Sequence, residues 1–121
     1  MKVLVAGSAT GPLLRLGEGL SFWGGFDPAL GTISDRAHPQ FGESLAGKVV
    51  AMPHGRGSSS SSSVLAEALR LGTGPSALVL DHPDSILVIG ALVAQMLYDV
   101  SCPVVVGEIA GSDGEIVTVE G

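Results

Sequence analysis

Short apolar runs alternate with longer amphipathic segments from residue 48 onward. Runs dominated by apolar residues at Lys48–Met52, Ala77–Leu80 and Val104–Val106 predict three buried strands. The segments between them, about Ser59–Leu71 and Ser85–Tyr98, have apolar residues at helical spacing. Apolar strands separated by helices are typical of a parallel sheet with right-handed crossovers. The pattern therefore predicts a strand–helix–strand–helix–strand unit.

Both predicted helices have recognisable ends. Gly72–Pro75 should stop the first helix, because glycine adopts the left-handed conformation after a helix and proline cannot continue one. Asp84 or Ser85 can cap the second helix. This second helix is apolar almost all round, which predicts burial on more than one of its faces.

The N-terminal third combines short apolar runs with many turn residues. Val3–Ala6 and Leu13–Leu16 are mostly apolar and flank Gly7–Pro12, a pattern that predicts two strands joined by a turn. Near the other end, Glu115–Glu120 alternates as a half-exposed strand does. We therefore predict an α/β fold, with a short parallel sheet flanked by two helices and an N-terminal β layer. Residues 1–121 should form a single β/β/α domain.

Two loops in the first half of the chain differ in character. Leu20–Pro28 contains the only tryptophan and two of the three phenylalanines. It is interpreted either as a surface loop pinned by its aromatic side chains or as a loop that covers a site or a partner. Asp35–Ser44 is polar and without periodicity, which indicates a connection. Its His38 precedes a proline and is interpreted as a surface residue, with an acid–base or ligand role left open.

A glycine-flanked arginine and a run of serines follow the first parallel strand. The order is Pro53-His54-Gly55-Arg56-Gly57, then six serines, Ser58–Ser63. The first N–H groups of a helix have no internal partners, and the helix dipole is positive there. Glycines allow a ligand to approach the backbone, and Arg56 adds a forked donor for a carboxylate or phosphate. We predict an anion-binding turn whose first serines cap the helix.

A run of serines is also typical of a flexible linker. This run passes without a break into an amphipathic helix, which linkers seldom do, so the anion-binding interpretation is preferred. Ligands of parallel sheets bind outside the carboxyl ends of the strands, where this turn lies. His82 and Asp84 follow the second parallel strand and should reach the same edge, where we interpret them as residues that cap and close their turn.

Composition narrows the class of protein. The chain has 121 residues, 45% of them hydrophobic, and a net charge of −6. Nucleic-acid binding needs a basic face, so this charge argues against a nucleic-acid partner. The N-terminal apolar segment is too short for a signal peptide, and no apolar run has the roughly 20 residues of a membrane span. A cytoplasmic protein without a membrane partner is predicted.

Cysteine and serine chemistry limit what the chain does alone. Cys102 is the only cysteine, so the chain cannot form an internal disulfide or hold an iron–sulfur cluster by itself. Its place before Val104–Val106 predicts a buried thiol.

A serine needs an activating environment to act as a base or nucleophile. A helix N-terminus and Arg56 would provide one, so the residues alone indicate an anion-binding turn with a serine suited to catalysis.

Four sequence blocks, in this order, resemble the small subunit of the aconitase X family. They are Leu20–Pro28, Gly42–Lys48, Gly55–Ser58 and Ala91–Ala94. The resemblance covers about residues 8 to 106 and implies a swivelling β/β/α domain that docks on a large catalytic subunit. It implies that the pair, a heterodimer, dehydrates a small hydroxy acid.

The resemblance also implies roles for individual residues. Ser58 would be the proton acceptor. Arg56, Gly57, Ser59 and Ser60 would bind the substrate, orienting a carboxylate or holding an oxyanion. The iron or iron–sulfur cofactor is expected on the large subunit, with none bound by this chain.

Alternatives remain for the substrate and for the class of function. The unbroken serines resemble bacterial hydroxyproline-type members, which favours cis-3-hydroxy-L-proline, whereas phosphomevalonate is the alternative. A non-catalytic module that binds an anion and a structural swivelling domain of a phosphotransfer or carbamoyl-type enzyme are the other hypotheses, because fold alone does not define function.

Overall fold

The computed structural model describes all 121 residues, and its elements follow the predicted order through the second half of the chain. The strands and helices are β1 (Lys2–Val5), β2 (Ser8–Arg15), α1 (Phe22–Gly25), β3 (Phe26–Asp27), β4 (Thr32–Ile33), β5 (Val49–Met52), α2 (Ser61–Leu71), β6 (Ala77–Leu80), α3 (Ser85–Tyr98), β7 (Val104–Val106) and β8 (Ile116–Glu120). The predicted β/β/α class is confirmed.

The parallel unit matches its prediction. β5, β6 and β7 are neighbours that run parallel, and α2 and α3 are the crossovers between them. Every residue of β6 is buried, as expected for a strand covered on both faces. α2 and α3 pack against each other, and their apolar side chains share one core with Val50 and Leu78 of the sheet. Both helices therefore cover the same face.

The turn predicted at Gly7–Pro12 is wrong, because residues 8–12 lie within β2. This part of β2 pairs antiparallel with β8, and Leu13–Arg15 pairs parallel with β5. Pro12 is tolerated because pairing with β5 begins only at Leu13, so no strand requires the missing N–H. At Gly11, a side chain would overlap with the carbonyl of Gly47. Turn-like residues here mark the point at which one strand changes partners.

The second β layer is also built differently from the prediction. β1 does not pair with β2 but lies antiparallel to β7 at one edge of the sheet, whose order is β1-β7-β6-β5-β2-β8. The first half of β2 and β8 curl over the face opposite the helices, where Val119 packs with Val49 and Val79. β3 and β4 form a separate two-stranded sheet. The second layer therefore includes the C-terminal strand.

The helix ends are partly as expected. Gly72 has the left-handed conformation, with φ 79°, at the end of α2. Asp84 caps α3 by accepting hydrogen bonds from the N–H groups of Ile86 and Leu87. Ser60, at the cap position of α2, has helical backbone angles, and its side chain accepts no capping hydrogen bond. The first serine of the run caps instead, because the Oγ of Ser58 accepts a hydrogen bond from the N–H of Ser60 at 3.3 Å.

Helix α3 is less buried within this chain than its composition predicts. Leu87, Gly90, Ala91 and Ala94 face the core, but Met96 is 81% exposed and lies on an apolar outer face with Ile89 and Leu92. Burial on more than one face is therefore wrong for this chain. Neither long helix combines the length and hydrophobicity that a membrane crossing requires.

The aromatic loop is pinned by two of its rings. Phe22 and Phe26 are buried in edge-to-face contact, with ring centroids 5.1 Å apart. Trp23 is 60% exposed and has non-helical backbone angles within α1. The interpretation as a loop pinned by aromatic side chains thus holds for the phenylalanines, whereas the tryptophan faces outward.

The surface position predicted for His38 is wrong. Its side chain is buried and links two loops. The Nδ1 atom accepts a hydrogen bond from the N–H of Gln40, so the proton lies on Nε2, which donates to the carbonyl of Glu18 at 3.2 Å. The imidazole therefore satisfies buried backbone groups.

Cys102 is buried, as predicted, and we expect its thiol to be inert in the folded protein. Burial raises its pKa to about 12, so almost no thiolate exists at pH 8. Labelling with a thiol reagent at pH 8 should therefore be slow in buffer and rapid in guanidinium chloride. Rapid labelling without denaturant would show that the thiol is accessible and would contradict this prediction.

Candidate functional site

The serine-containing turn lies at the carboxyl end of β5, as predicted, and is bound to the aromatic loop. The N–H of Arg56 donates to the carbonyl of Leu20 at 3.1 Å, and Leu20 and Gly55 form a parallel bridge. This bridge extends the sheet beyond Met52 by one short contact. The aromatic loop therefore fixes the direction in which the chain leaves the strand.

Gly57 occupies a position that only glycine fits well. Its φ of +93° lies in the left-handed region, and a side chain at this position would overlap with the Oγ of Ser21. Ser21 in turn donates a hydrogen bond to the carbonyl of Trp23 at 2.6 Å. The backbone at Gly57 thus packs directly against the aromatic loop.

A small cavity of about 100 Å³ opens beside this turn. Its walls are formed by the turn, the first residue of α2 and the N-terminus of α3, through Gly55, Arg56, Gly57, Ser61, Asp84, Ile86 and Leu87. Two of the predicted site residues, Arg56 and Gly57, line this cavity. The cavity is open on one side, so a small polar group of a larger molecule can enter it.

Ser58, Ser59 and Ser60 are exposed next to the cavity and do not line it. They form a tight turn in which the N–H groups of Ser61 and Ser62 donate to carbonyls three residues earlier. The N–H of Ser60 donates to the Oγ of Ser58 at 3.3 Å. The N–H groups of Gly57, Ser58 and Ser59 have no acceptor within the chain. The N–H groups without an acceptor, which the sequence predicted at this helix start, therefore lie just before α2.

Ser61 is a site residue whose role could not be assigned from the sequence. It is 2% exposed, and its Oγ accepts a hydrogen bond from the N–H of Trp23 at 3.1 Å. A signal was present, because Ser61 precedes the buried Leu65 and Ala68 by four and seven residues and so shares their helical face.

Arg56 is not a free cation in this chain. Its guanidinium forms an ion pair with Glu18 at 3.2 Å, and both side chains are about half exposed. Exposed ion pairs contribute little stability, so this contact does not prevent Arg56 from binding a ligand anion. Glu18 holds the arginine over the turn.

Asp84 links the N-terminus of α3 to the serine-containing turn. One carboxylate oxygen accepts from two N–H groups of α3, and the other accepts from the N–H of Gly55 at 3.1 Å. The interpretation of Asp84 as a residue that caps and closes its turn is confirmed, and it also anchors the serine-containing turn. His82 is exposed and does not line the cavity.

A larger cavity, of about 280 Å³, lies on the opposite face of the sheet. It contains Arg15, Asp81 and Glu108. The guanidinium of Arg15 donates to the carbonyls of Ile109 and Gly111, and so holds the loop after β7 in place. The arginine thus has a structural role in this cavity.

The side chains of this chain do not fit an iron or iron–sulfur site. No group of three or more His, Cys, Asp or Glu residues lies close enough to hold a metal ion. Cys102 is in the hydrophobic core, with burial keeping its thiol protonated.

Comparisons with known proteins all point to the same family. A model described as the aconitase X swivel domain matches residues 1–121. The chain is 50% identical over 103 residues to a cis-3-hydroxy-L-proline dehydratase of Pseudomonas aeruginosa, covering 85% of this chain and 18% of that protein. It is 38% identical over 91 residues to the phosphomevalonate dehydratase small subunit of Pyrococcus furiosus, covering 75% and 68%.

Solved structures agree with the sequence comparison. The crystal structure of Thermococcus kodakaraensis aconitase X in its holo form superimposes with a TM-score of 0.86 and 29% identity, covering 98% of this chain and 88% of that one. The chain spans less than a fifth of the length of the Pseudomonas protein and about two thirds of the Pyrococcus small subunit.

Proposed function

The chain belongs to the aconitase X family as its swivel domain, and from this membership we propose that it is the small subunit of a heterodimeric hydro-lyase. The proposed substrate is cis-3-hydroxy-L-proline. The observation that carries this proposal is the 50% identity to a dehydratase named for that substrate. The archaeal small subunit is 38% identical over a shorter alignment.

A second candidate is phosphomevalonate dehydration. The observation that favours it is the length of the relatives. The chain covers 68% of a phosphomevalonate dehydratase protein that is named a small subunit, but only 18% of the longer Pseudomonas protein. Under either candidate, most of the catalytic machinery lies outside these 121 residues. We therefore assign a large subunit as partner, and that subunit would also provide the iron or iron–sulfur cofactor.

In the proposed reaction, Ser58 accepts a proton. Its Oγ, as the alkoxide, takes the proton from the carbon next to the one that carries the hydroxyl group. The electrons of that C–H bond form the new C=C bond, the C–O bond breaks, and the hydroxyl leaves as water once the large subunit protonates it. The N–H of Ser60 supports this role, because a hydrogen bond donated to Oγ favours the anionic form.

Arg56, Gly57, Ser59 and Ser60 would hold the substrate anion. The N–H groups of Gly57 and Ser59 have no acceptor within the chain, so they are free to donate to a carboxylate. Arg56 offers a planar fork that suits the same group. Ser59 and Ser60 are exposed, so their hydroxyls are accessible to a substrate held by the large subunit.

Reconstitution with the large subunit tests the substrate assignment. We expect kcat/KM of the complex for cis-3-hydroxy-L-proline to exceed that for phosphomevalonate by about 100-fold or more, because a site with fitted polar partners discriminates strongly against an ill-matched substrate. The measurement is the initial rate with each substrate, with each subunit alone as the control. A preference for phosphomevalonate would transfer the assignment to the second candidate, and inactivity on both would reject the dehydratase function.

A further inference from the structure

We propose that Ser61 is a substrate-binding residue that donates its hydroxyl hydrogen bond to the carboxylate of the substrate in the cavity beside Gly57. This inference rests on the proposed function and deepens it. It adds a hydroxyl group distinct from that of Ser58, and it defines the chemical class of the group that enters the cavity.

The buried position separates Ser61 from the rest of the serine run. It is 2% exposed, whereas Ser58, Ser59, Ser60 and Ser63 are exposed. Burial removes water as a competitor for its hydroxyl, so a hydrogen bond made there is stronger than one made by an exposed serine. Of the six serines, only Ser61 lines the cavity.

The hydrogen bond with the aromatic loop leaves the proton of Ser61 available. The N–H of Trp23 donates to Oγ, so this oxygen already acts as an acceptor. The O–H group has no acceptor within the chain. Because Oγ is satisfied as an acceptor, its O–H is free to donate to an acceptor that enters the cavity.

The cavity has room for a small polar group such as a carboxylate, because its volume is about 100 Å³. The N–H of Gly57 is also free at this wall. A carboxylate would therefore meet one hydroxyl and one amide donor.

The charge around the cavity favours a single negative charge over two. Arg56 is the positive group, but Glu18 partly offsets its charge. Asp84 contributes a carboxylate to the wall, and three backbone N–H groups stabilise it. A doubly charged phosphate would be repelled more strongly by Asp84 than a carboxylate would. The cavity therefore fits the carboxylate of a hydroxy acid rather than a phosphate.

The test compares Ser61→Ala with the matched control Ser63→Ala, which removes an exposed hydroxyl from the same run. In the complex with the large subunit, we expect Ser61→Ala to raise KM for cis-3-hydroxy-L-proline about 10-fold or more with little change in kcat, as loss of a hydrogen bond to a charged group does. Ser63→Ala should leave both constants within about twofold, in the range of a neutral surface change.

A second variant separates binding from structural support. Ser61→Thr keeps the hydroxyl and should restore KM to within a few-fold of the unaltered complex. If Ser61 only supported the aromatic loop through its hydrogen bond with Trp23, Ser61→Ala would instead lower the active fraction of the enzyme and hence the apparent kcat. An unchanged KM in Ser61→Ala, with the unaltered complex active, would overturn the role of Ser61 and leave the proposed function intact. Inactivity of the unaltered complex would instead reject the proposed function itself.

Discussion

Replacement of Ser58 by alanine is expected to reduce turnover of the reconstituted complex by about 1,000-fold, the range found when a general base is removed. The chain should still fold and bind the large subunit, because Ser58 is exposed and its side chain makes one long hydrogen bond, 3.3 Å from the N–H of Ser60. The measurement is kcat with cis-3-hydroxy-L-proline, together with the affinity of the two subunits for each other.

The result has to be specific to this serine. Ser63→Ala removes a hydroxyl five positions further along the same run and should retain full activity. KM should change little in Ser58→Ala, since the proton is transferred only in the transition state. Turnover within about tenfold of the unaltered complex would exclude Ser58 as the proton acceptor. The anion-binding turn would then serve substrate binding alone.

The parallel unit could be predicted because its signals are local. Each strand from β5 to β7 is a continuous apolar run, and the predicted bounds of β6, β7 and α3 are those observed. Gly72 and Asp84 end and start helices through hydrogen bonds to nearby backbone atoms. Such interactions depend on residues only a few positions apart, so they can be inferred from one sequence.

The strand partners could not be predicted, because pairing is set by contacts that are distant in sequence. β2 begins beside β8, more than 100 residues away, and then continues beside β5. Its Gly11 and Pro12 have the composition of a turn. Only the position of β5 explains why they are tolerated within a strand. Tertiary context therefore overrides local propensity at this point.

In the site, too, the features set by local sequence could be predicted, and those set by contacts distant in sequence could not. The location of the predicted anion-binding turn followed from its glycines and from its place after a strand. The burial of Ser61 depends on the aromatic loop, whose Trp23 N–H reaches it across 38 residues. The sequence left the role of Ser61 open, although its helical spacing relative to Leu65 places it on the core side of α2.

The exposed apolar face of α3 illustrates what one chain leaves undetermined. The apolar composition of α3 predicted burial on more than one face, yet no part of this chain covers Ile89 and Met96. A hydrophobic helix face indicates only that burial is favourable, and it does not specify which element provides it. The sequence therefore predicts that α3 is hydrophobic, but it does not predict which of its faces another element covers.

Replacement of Gly57 by alanine is expected to lower kcat/KM of the complex by about 100-fold, as a small misplacement of catalytic groups can do. The added methyl group would overlap with Oγ of Ser21 and lie 3.2 Å from its Cβ, so the turn and the aromatic loop must move apart. Ser58 and the free N–H groups beside it would move with the turn.

Gly42→Ala provides the matched control that separates backbone strain from displacement. Gly42 has a φ of +86°, close to the +93° of Gly57, but a side chain there would meet no atom within 4 Å. Gly42→Ala should lose about 1–2 kcal/mol of unfolding free energy, the penalty for a left-handed alanine, and Gly57→Ala should lose more because of its overlap with Ser21, both measured by urea unfolding. Only Gly57→Ala should lose activity. Equal activity in the two variants would show that the contact between Gly57 and Ser21 does not position the turn for activity.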